Sequence, residues 1–310
     1  MKWSRQIHAL ALVTGLSAWL ARRKAARRVI MFHGVDEVGM PVAVFESNLR
    51  WLAERFRIVS LGEMVDGIQQ GHAPDSRGEL VLTFDDGLAN HFDAAYPVLQ
   101  RLALPATFFV CPDLIEGRRW IWNQEARARL QGMAVQARAE FAQASLDLAC
   151  ADVEPLVQRM KELAMADRQR VETDLRQRTP DFLASPLAHR QFDPLTWDEL
   201  ARLDPSLITI GSHTLSHPIL PSIDDAALER EVAESRRVLE RHLGRTVDLF
   251  CYPNGAQDDR VHATVARTYR AAVTTRYGFV EPSTDAHRMM RIPATPSLPL
   301  LAWRMHRPNA

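Results

Sequence analysis

Eight short runs of apolar and β-favouring residues recur along the chain, separated by stretches patterned for helix, and this alternation restricts the fold more than any other feature. The runs are RVIMFHG, FRIVSL, ELVLTFDD, PATFFVCP, SLITIGSH, VDLFCYP, RAAVTT and MMRIPA. Strands that alternate with amphipathic helices are the signature of an α/β layer or barrel with a largely parallel sheet. Between the runs, Phe45, Leu49, Leu52 and Phe56 fall on one helical face, as do Leu228, Val232, Leu239 and Leu243. Thr196 and Glu199 have the spacing of a capping box that opens a further helix. The expectation is an α/β fold in which the eight strands form a closed or nearly closed (β/α) barrel over residues 28–310.

One region departs from the alternation. Residues from about 118 to 190 carry no convincing strand and are rich in Ala, Arg, Gln, Glu and Leu, so they read as inserted helices. They follow a strand directly, which places them on the face where α/β barrels carry their active sites. A lid or substrate-guiding role and a solvated helical decoration are the two readings. Trp120 and Trp122, at the start of this region, are candidates for stacking on a sugar ring, with core packing as the alternative.

The bulk numbers exclude several function classes. With 310 residues, 46% hydrophobic and 25% charged, the chain is globular rather than disordered. Lys+Arg and Asp+Glu both number 38, so no basic field is available to hold nucleic acid. Cys111, Cys150 and Cys251 stand far apart with no CxxC pair, and read as reduced structural thiols.

Residues 1–27 form a separate basic and apolar helix. An apolar stretch from Ile7 to Ala21, broken by His8, Thr14, Gly15 and Ser17, is followed by Arg22, Arg23, Lys24, Arg27 and Arg28. The stretch is shorter than the ~20 residues of a comfortable membrane span. Five cations directly after the apolar core oppose export, and no clean small-x-small cleavage site stands out. Trp3, Ile7, Leu10, Trp19 and Leu20 beside basic residues fit a helix that lies on an anionic membrane surface. If the segment spans, the cations on its far side put the following domain in the cytoplasm. The expectation is a cytoplasmic, membrane-associated protein, with a periplasmic location as the alternative.

Polar residues cluster where the strands end. The run Leu80 to Phe84 delivers two adjacent carboxylates, Asp85 and Asp86, and breaks at Gly87. Adjacent residues of a strand point to opposite faces, and two carboxylates held close repel. Another strand ends in SHTLSH, which presents His213 and His217 four residues apart on a turn. Either element alone is ambiguous: among 11 histidines one such pair arises by chance, and a double aspartate before glycine is commonly a solvated turn. Together, two imidazoles and one carboxylate make a three-ligand site with an open position, which is what a hydrolytic metal centre requires. The other aspartate is then free to act as a base, and a bound cation relieves the repulsion between the two.

The motifs LTFDDG, LPATFFV, GSHTLSHP and YPNG, taken in combination, resemble the polysaccharide deacetylases of the NodB-homology fold, carbohydrate esterase family 4, over the span from VIMFHGV to RIPA. The resemblance implies a NodB-type distorted (β/α) barrel and a hydrolase that removes an N-acetyl group from an N-acetylhexosamine-containing glycan or glycolipid. It implies that Asp85 is the catalytic base and that Asp86, His213 and His217 hold the metal. Two departures matter. No LxxH histidine follows AVTTRYG, and His287 in DAHRMMRIPA reads as a surface residue in a loop. His33, in IMFHG at the first strand, is the candidate general acid, an arrangement similar to the circularly permuted branch related to poly-N-acetylglucosamine deacetylases; a core or turn histidine is the alternative. Where the family places an arginine, LFCYPNG carries Phe250. Tyr252 is expected to line the site, with its N–H stabilising the oxyanion. Arg291 is expected to supply the missing positive charge beside Asp85, an ordinary salt bridge being the alternative.

Zinc is the default metal for such ligands, and cobalt, nickel, manganese and iron are compatible with them. The expected partner is an acetylated glycan or a lipid-linked oligosaccharide. Rival readings are an O-acetyl esterase or small-molecule amidohydrolase on the same centre, and a catalytically silent carbohydrate-binding relative. A phosphatase reading of TFDDG lacks an Asp-x-Asp spacing and a phosphate-cradling glycine loop.

Overall fold

All eight apolar runs form strands: β1 (Arg27–Phe32), β2 (Arg57–Ile58), β3 (Glu79–Phe84), β4 (Ala106–Val110), β5 (Ile208–Ser212), β6 (Leu249–Cys251), β7 (Ala271–Tyr277) and β8 (Met289–Pro293). The structure is a computed structural model that describes the backbone of residues 2–308 and the side chains of residues 5–308, so the membrane contact expected of Trp3 lies outside the described residues. Every strand pairing is parallel, and the ring β1-β3-β4-β5-β6-β7-β8 closes because β1 pairs with both β3 and β8.

The ring has seven strands, one fewer than the eight apolar runs. β2 contributes two ladder positions, Arg57 to Glu79 and Ile58 to Leu80, on the edge of β3 that β4 takes over at Thr83 and Phe84. It ends early because Ser60 caps the helix Leu61–Gln69, its hydroxyl accepting the Glu63 N–H at 3.0 Å.

β1, β3, β4 and β6 are buried at every position, as strands with a filled barrel on one side and helices on the other must be. The predicted helical faces pack on them. Phe45, Leu49 and Leu52 of the helix Val42–Ala53, with Phe56 just beyond it, join Ile30, Phe32, Leu82 and Phe84 in the largest apolar cluster. Each such side chain contributes about 1.5–3 kcal/mol relative to exposure. Leu228, Val232 and Leu239 are buried, Leu243 packs half-buried at the edge, and the Thr196–Glu199 capping box opens the helix Trp197–Arg202.

The N-terminal segment folds as two helices, Lys2–Val13 and Leu16–Arg23, joined at Gly15 with φ +73°, where the sequence predicts one. The first packs on the C-terminal helix Leu298–Arg304, with His8 4.9 Å from the Trp303 ring. No helix among the described residues is long and apolar enough to cross a membrane. Two of the five flanking cations have another task. Arg27 and Arg28 open β1 and are buried; Arg27 pairs with Glu79 at 2.8 Å, and Arg28 donates to the carbonyls of Met305, Ala26, Ala21 and Lys24. Arg28 ties the terminal helices to the barrel, Arg27 ties β1 to β3, and both are inside the folded protein.

Between β4 and the helix at Trp197 lie six helices: Pro112–Gly117, Trp122–Gly132, Val135–Leu146, Val153–Lys161, Met165–Arg178 and Pro186–Phe192. The middle four enclose a core of their own around Leu130, Phe141, Leu156, Met160 and Leu175. They leave the barrel at the C-terminal end of β4, the rim at which all the parallel strands end.

Candidate active site

The two aspartates at the end of β3 are separated by a backbone turn. The Asp85 N–H donates to the Phe32 carbonyl at 3.0 Å, which keeps Asp85 in the ladder with β1. Asp86 and Gly87 then adopt φ of +78° and +65°. Two successive left-handed residues break the alternation of a strand, and both carboxylates line one cavity at the rim. The left-handed conformation costs a non-glycine residue roughly 1–2 kcal/mol. Glycine is needed next in line, because a β-carbon on Gly87 would sit 3.0 Å from the Val110 side chain.

The two carboxylates then meet different surroundings. Both oxygens of Asp85 accept from Arg291, at 2.7 Å each. Arg291 is fully buried on β8 and also donates to the Thr274 carbonyl at 2.7 Å and the Thr83 hydroxyl at 3.0 Å. Burial pushes the Asp85 pKa up, but the Arg291 charge and hydrogen bonds outweigh it and hold the carboxyl below the usual range. Asp86 instead places Oδ1 3.6 Å from the Nε2 atoms of both His213 and His217. That separation is too long for a hydrogen bond and suits atoms gathered around one cation with bonds of about 2.0–2.2 Å.

The imidazoles are oriented for the same purpose. His213 follows β5, its N–H donating to the Val110 carbonyl at 2.9 Å. Its Nδ1–H donates to the Cys251 carbonyl at 2.7 Å, which turns Nε2 toward Asp86. The turn that carries His217 is tight, with Thr214 at φ +68° and His217 at φ +60°. The Thr214 hydroxyl accepts the His217 N–H at 3.0 Å. Buried Glu231 accepts the N–H groups of Leu215 and Ser216 at 2.9 and 3.0 Å and the Ser216 hydroxyl at 2.6 Å. Burial, with His213 nearby, pushes His217 down to about 3, so it is neutral at pH 7, the state in which an imidazole ligates. Gln124, on the helix Trp122–Gly132, donates to Asp86 Oδ2 at 3.2 Å.

These donor atoms fit a divalent cation. Asp85, His213 and Cys251 also lie close together. That group fits less well, because both Asp85 oxygens are held by Arg291 and burial pushes the Cys251 thiol up, which keeps it protonated. A third group, His262, Asp285 and His287, does not line the cavity.

The cavity has a volume of about 500 Å³ and brings together Asp85, Asp86, His213, His217 and the exposed imidazole of His33, whose carbonyl accepts the His91 Nε2–H at 2.9 Å. It does not include Tyr252, and the oxyanion role expected of that residue does not hold, because its N–H is used within the sheet. The Tyr252 N–H donates to the Val273 carbonyl at 3.2 Å, continuing the β6–β7 ladder, and its ring is buried against Phe250 and Tyr269. Its hydroxyl donates to the His287 carbonyl at 3.0 Å. His287, expected at the surface, is half-buried, with its Nε2–H donating to the Tyr269 carbonyl at 2.8 Å. Trp122 is buried in the insertion core with the Arg168 guanidinium 4.4 Å from its ring, and Trp120 donates to Asp193 at 2.7 Å; neither lines the cavity. Gln124 and Glu231 are the two supporting residues that sequence reasoning does not single out.

Comparison with known proteins gives the family and the fold. A polysaccharide deacetylase family model matches residues 72–272, which include β3 to β6. The chain is 19% identical over 288 residues to YxkH of Bacillus subtilis (strain 168), a relative named after the same family, with 91% of this chain and 76% of that one covered. IcaB from Ammonifex degensii superposes with a TM-score of 0.61 at 18% identity, covering 91% of this chain and 97% of its own. The deacetylase PplD of Streptococcus pyogenes, solved in complex with acetate, gives 0.59 at 17% identity, with 87% and 93% covered. These likenesses establish a shared fold. Because the family model spans about two thirds of the chain and all four of Asp85, Asp86, His213 and His217, the chain belongs to the polysaccharide deacetylase family.

Proposed function

We propose that the chain is a metal-dependent N-deacetylase acting on an N-acetylhexosamine-containing glycan or glycolipid. One observation carries this reading: an arginine-held carboxylate, an Asp-His-His donor set and an exposed imidazole line one cavity at the barrel rim. Asp86, His213 and His217 would hold a divalent cation, zinc being the natural match to these donors, which would supply Lewis-acid polarisation of the acetamide and a more acidic water. Asp85, ionised at neutral pH, accepts the proton of the attacking water. Collapse of the tetrahedral species needs a proton on the departing nitrogen, because an amide anion is a very poor leaving group. His33, facing the same cavity, donates it. The products are acetate and a free amino sugar.

A membrane-surface location forms part of the proposal. Ile7, Leu10, Val13, Leu16 and Trp19 are exposed on the terminal helices, beside Arg22 and Arg23. This pattern supports contact with an anionic bilayer and a lipid-linked substrate. The cytoplasmic location is proposed on the cation run after the apolar stretch, Arg22, Arg23, Lys24, Arg27 and Arg28, which opposes export of the unfolded chain.

The test is metal content by elemental analysis for the wild type and His213→Ala, followed by acetate release from N-acetylated and O-acetylated oligosaccharides. About one metal per chain in the wild type, little in the variant, and acetate from the N-acetylated compounds are expected. No metal in either protein after zinc reconstitution, or acetate from the O-esters alone, overturns the reading.

A further inference from the structure

The chemistry above leaves part of the cavity wall unused. The insertion contributes two cations to it, Arg127 from the helix Trp122–Gly132 and Lys161 from the last position of the helix Val153–Lys161. Arg127 is held in place: its Nε and Nη2 donate to Glu154 at 2.6 and 3.0 Å, and its Nη1 donates to the Asn123 carbonyl at 3.4 Å. Lys161 is half-buried, and its ammonium has no hydrogen bond or ion pair among the described residues. None of the three carboxylates at the cavity serves it. Asp85 is bound by Arg291, Asp86 faces the imidazoles and Gln124, and Asp36 accepts from the Val38 and Gly39 N–H groups and from Gln191.

A half-buried cation beside a second cation is unfavourable unless an anion joins them. Burial and the neighbouring Arg127 lower the Lys161 pKa, and Glu154, a single carboxylate already clasped by Arg127, offsets them only in part. Both residues hang on the insertion, whose separate core includes Leu130 and Met160, so their placement is independent of the barrel chemistry.

Building on the deacetylase reading, we propose that Arg127 and Lys161 form an oxyanion subsite, and that the substrate carries a phosphate or a carboxylate on the same molecule as the acetamide. Arg127 offers a planar fork already oriented by Glu154, and Lys161 offers a point charge; the pair suits a group with several equivalent oxygens. A neutral homopolymer would leave two cations sharing the one carboxylate of Glu154.

Zinc-reconstituted enzyme would be assayed for acetate release on N-acetylglucosamine 1-phosphate, on a disaccharide of N-acetylglucosamine and glucuronate, and on neutral di-N-acetylchitobiose. The KM of at least one anionic compound should lie about tenfold or more below that of the neutral one. Lys161→Met should raise that KM about tenfold and the neutral one less than about twofold, and Lys161→Arg should restore most of the loss. An effect confined to the phosphorylated compound assigns the subsite to phosphate, and one confined to the uronate assigns it to carboxylate. Equal KM values for charged and neutral compounds, or a Lys161→Met penalty common to all three, overturn the subsite. If no compound releases acetate, calorimetric titration of N-acetylglucosamine 1-phosphate and of the uronate disaccharide still decides. Binding of either that weakens in Lys161→Met keeps the subsite while the deacetylase reading fails. Binding insensitive to Lys161, or no binding of either, overturns the subsite.

Discussion

The barrel rim and the helical insertion both deliver polar side chains to one cavity, but by different means. At the rim, Asp85 and His213 still donate backbone hydrogen bonds to the neighbouring strand, and Arg291 lies within β8 itself. Their positions are set by the ladder, and errors of a few tenths of an ångström are resisted by the whole ring. Gln124, Arg127 and Lys161 ride instead on helices that pack around Leu130, Phe141 and Leu156. That unit can vary without disturbing the strands. Under the proposed function the difference is a division of labour: the bonds that react are handled where the backbone is over-determined, and selection of the substrate falls to the part that is attached.

The division is most sharply tested at Asp85. Asp85→Asn should lower kcat about a thousandfold or more while metal content stays near the wild-type level, whereas His213→Ala should lose both. Removing the charge also leaves Arg291 buried without its counter-ion, a change that typically destabilises by about 3–5 kcal/mol. Thermal melts of the variant therefore accompany the kinetics, to show that the lost turnover belongs to folded protein. Full turnover in Asp85→Asn would end its assignment as the base.

Arg291 comes next. The Asp85 carboxyl is held below its ordinary range in the folded protein, so its ionised form stabilises the fold above the unfolded pKa of about 3.9, and that contribution is lost as pH falls through the lower folded value. The acid limb of kcat/KM is correspondingly expected below the ordinary carboxylate range. Arg291→Lys gives up the two-pronged contact, so the limb should move upward and kcat at neutral pH should fall about tenfold. A pH–rate profile checks this; a limb that stays in place would reduce Arg291 to a packing residue.

A smaller effect is expected at Glu231, which touches no ligand directly but fixes the turn between His213 and His217. Glu231→Gln keeps one acceptor oxygen and loses the charge, so the left-handed geometry at Thr214 and His217 is less well held. Metal affinity should drop about tenfold, as is common for residues behind a first ligand shell, with little change in kcat once the site is saturated. Competition with a metal chelator measures it. An unchanged affinity would mean that the ladder alone positions His217.

These residues also mark how far the sequence could be read. The strand-end pairs TFDD and SHTLSH were legible because a strand followed by a turn is a local pattern, and local patterns survive in a linear sequence. The contact between Arg291 and Asp85 spans 206 residues and could be framed only as an expectation built on a missing charge. Glu231 left a signal that went unused: a carboxylate between Leu228 and Val232, on a face otherwise meant for the core, demands a buried partner. Tyr252 was misread because the β6–β7 hydrogen bonding continues one residue past the end of β6 at Cys251, which uses its N–H. β1 starts at Arg27, so two cations of the basic flank lie inside the folded protein. Gln124 gave no signal, because nothing in NQEARARL says that its helix folds back over the rim.

Gln124 therefore supplies the mildest test of the division between rim and insertion. It is the one insertion side chain found hydrogen-bonded to a proposed metal ligand among the described residues, donating to Asp86 Oδ2 at 3.2 Å. Its own carbonyl oxygen is buried without a protein partner. Gln124→Ala thus removes a hydrogen bond to a carboxylate, about 1.5–3 kcal/mol, together with an unsatisfied acceptor whose burial is itself unfavourable by about 1–3 kcal/mol. The two terms oppose each other, so stability should change by less than about 1 kcal/mol. Metal affinity should fall only about twofold, because Asp86 keeps its place through the Asp86–Gly87 turn. Chelator competition and a melting curve read both quantities. A loss as large as that of Glu231→Gln would show that the insertion helps to build the metal centre as well as selecting what reaches it, and the separation between the two regions would have to be redrawn one helix further into the insertion.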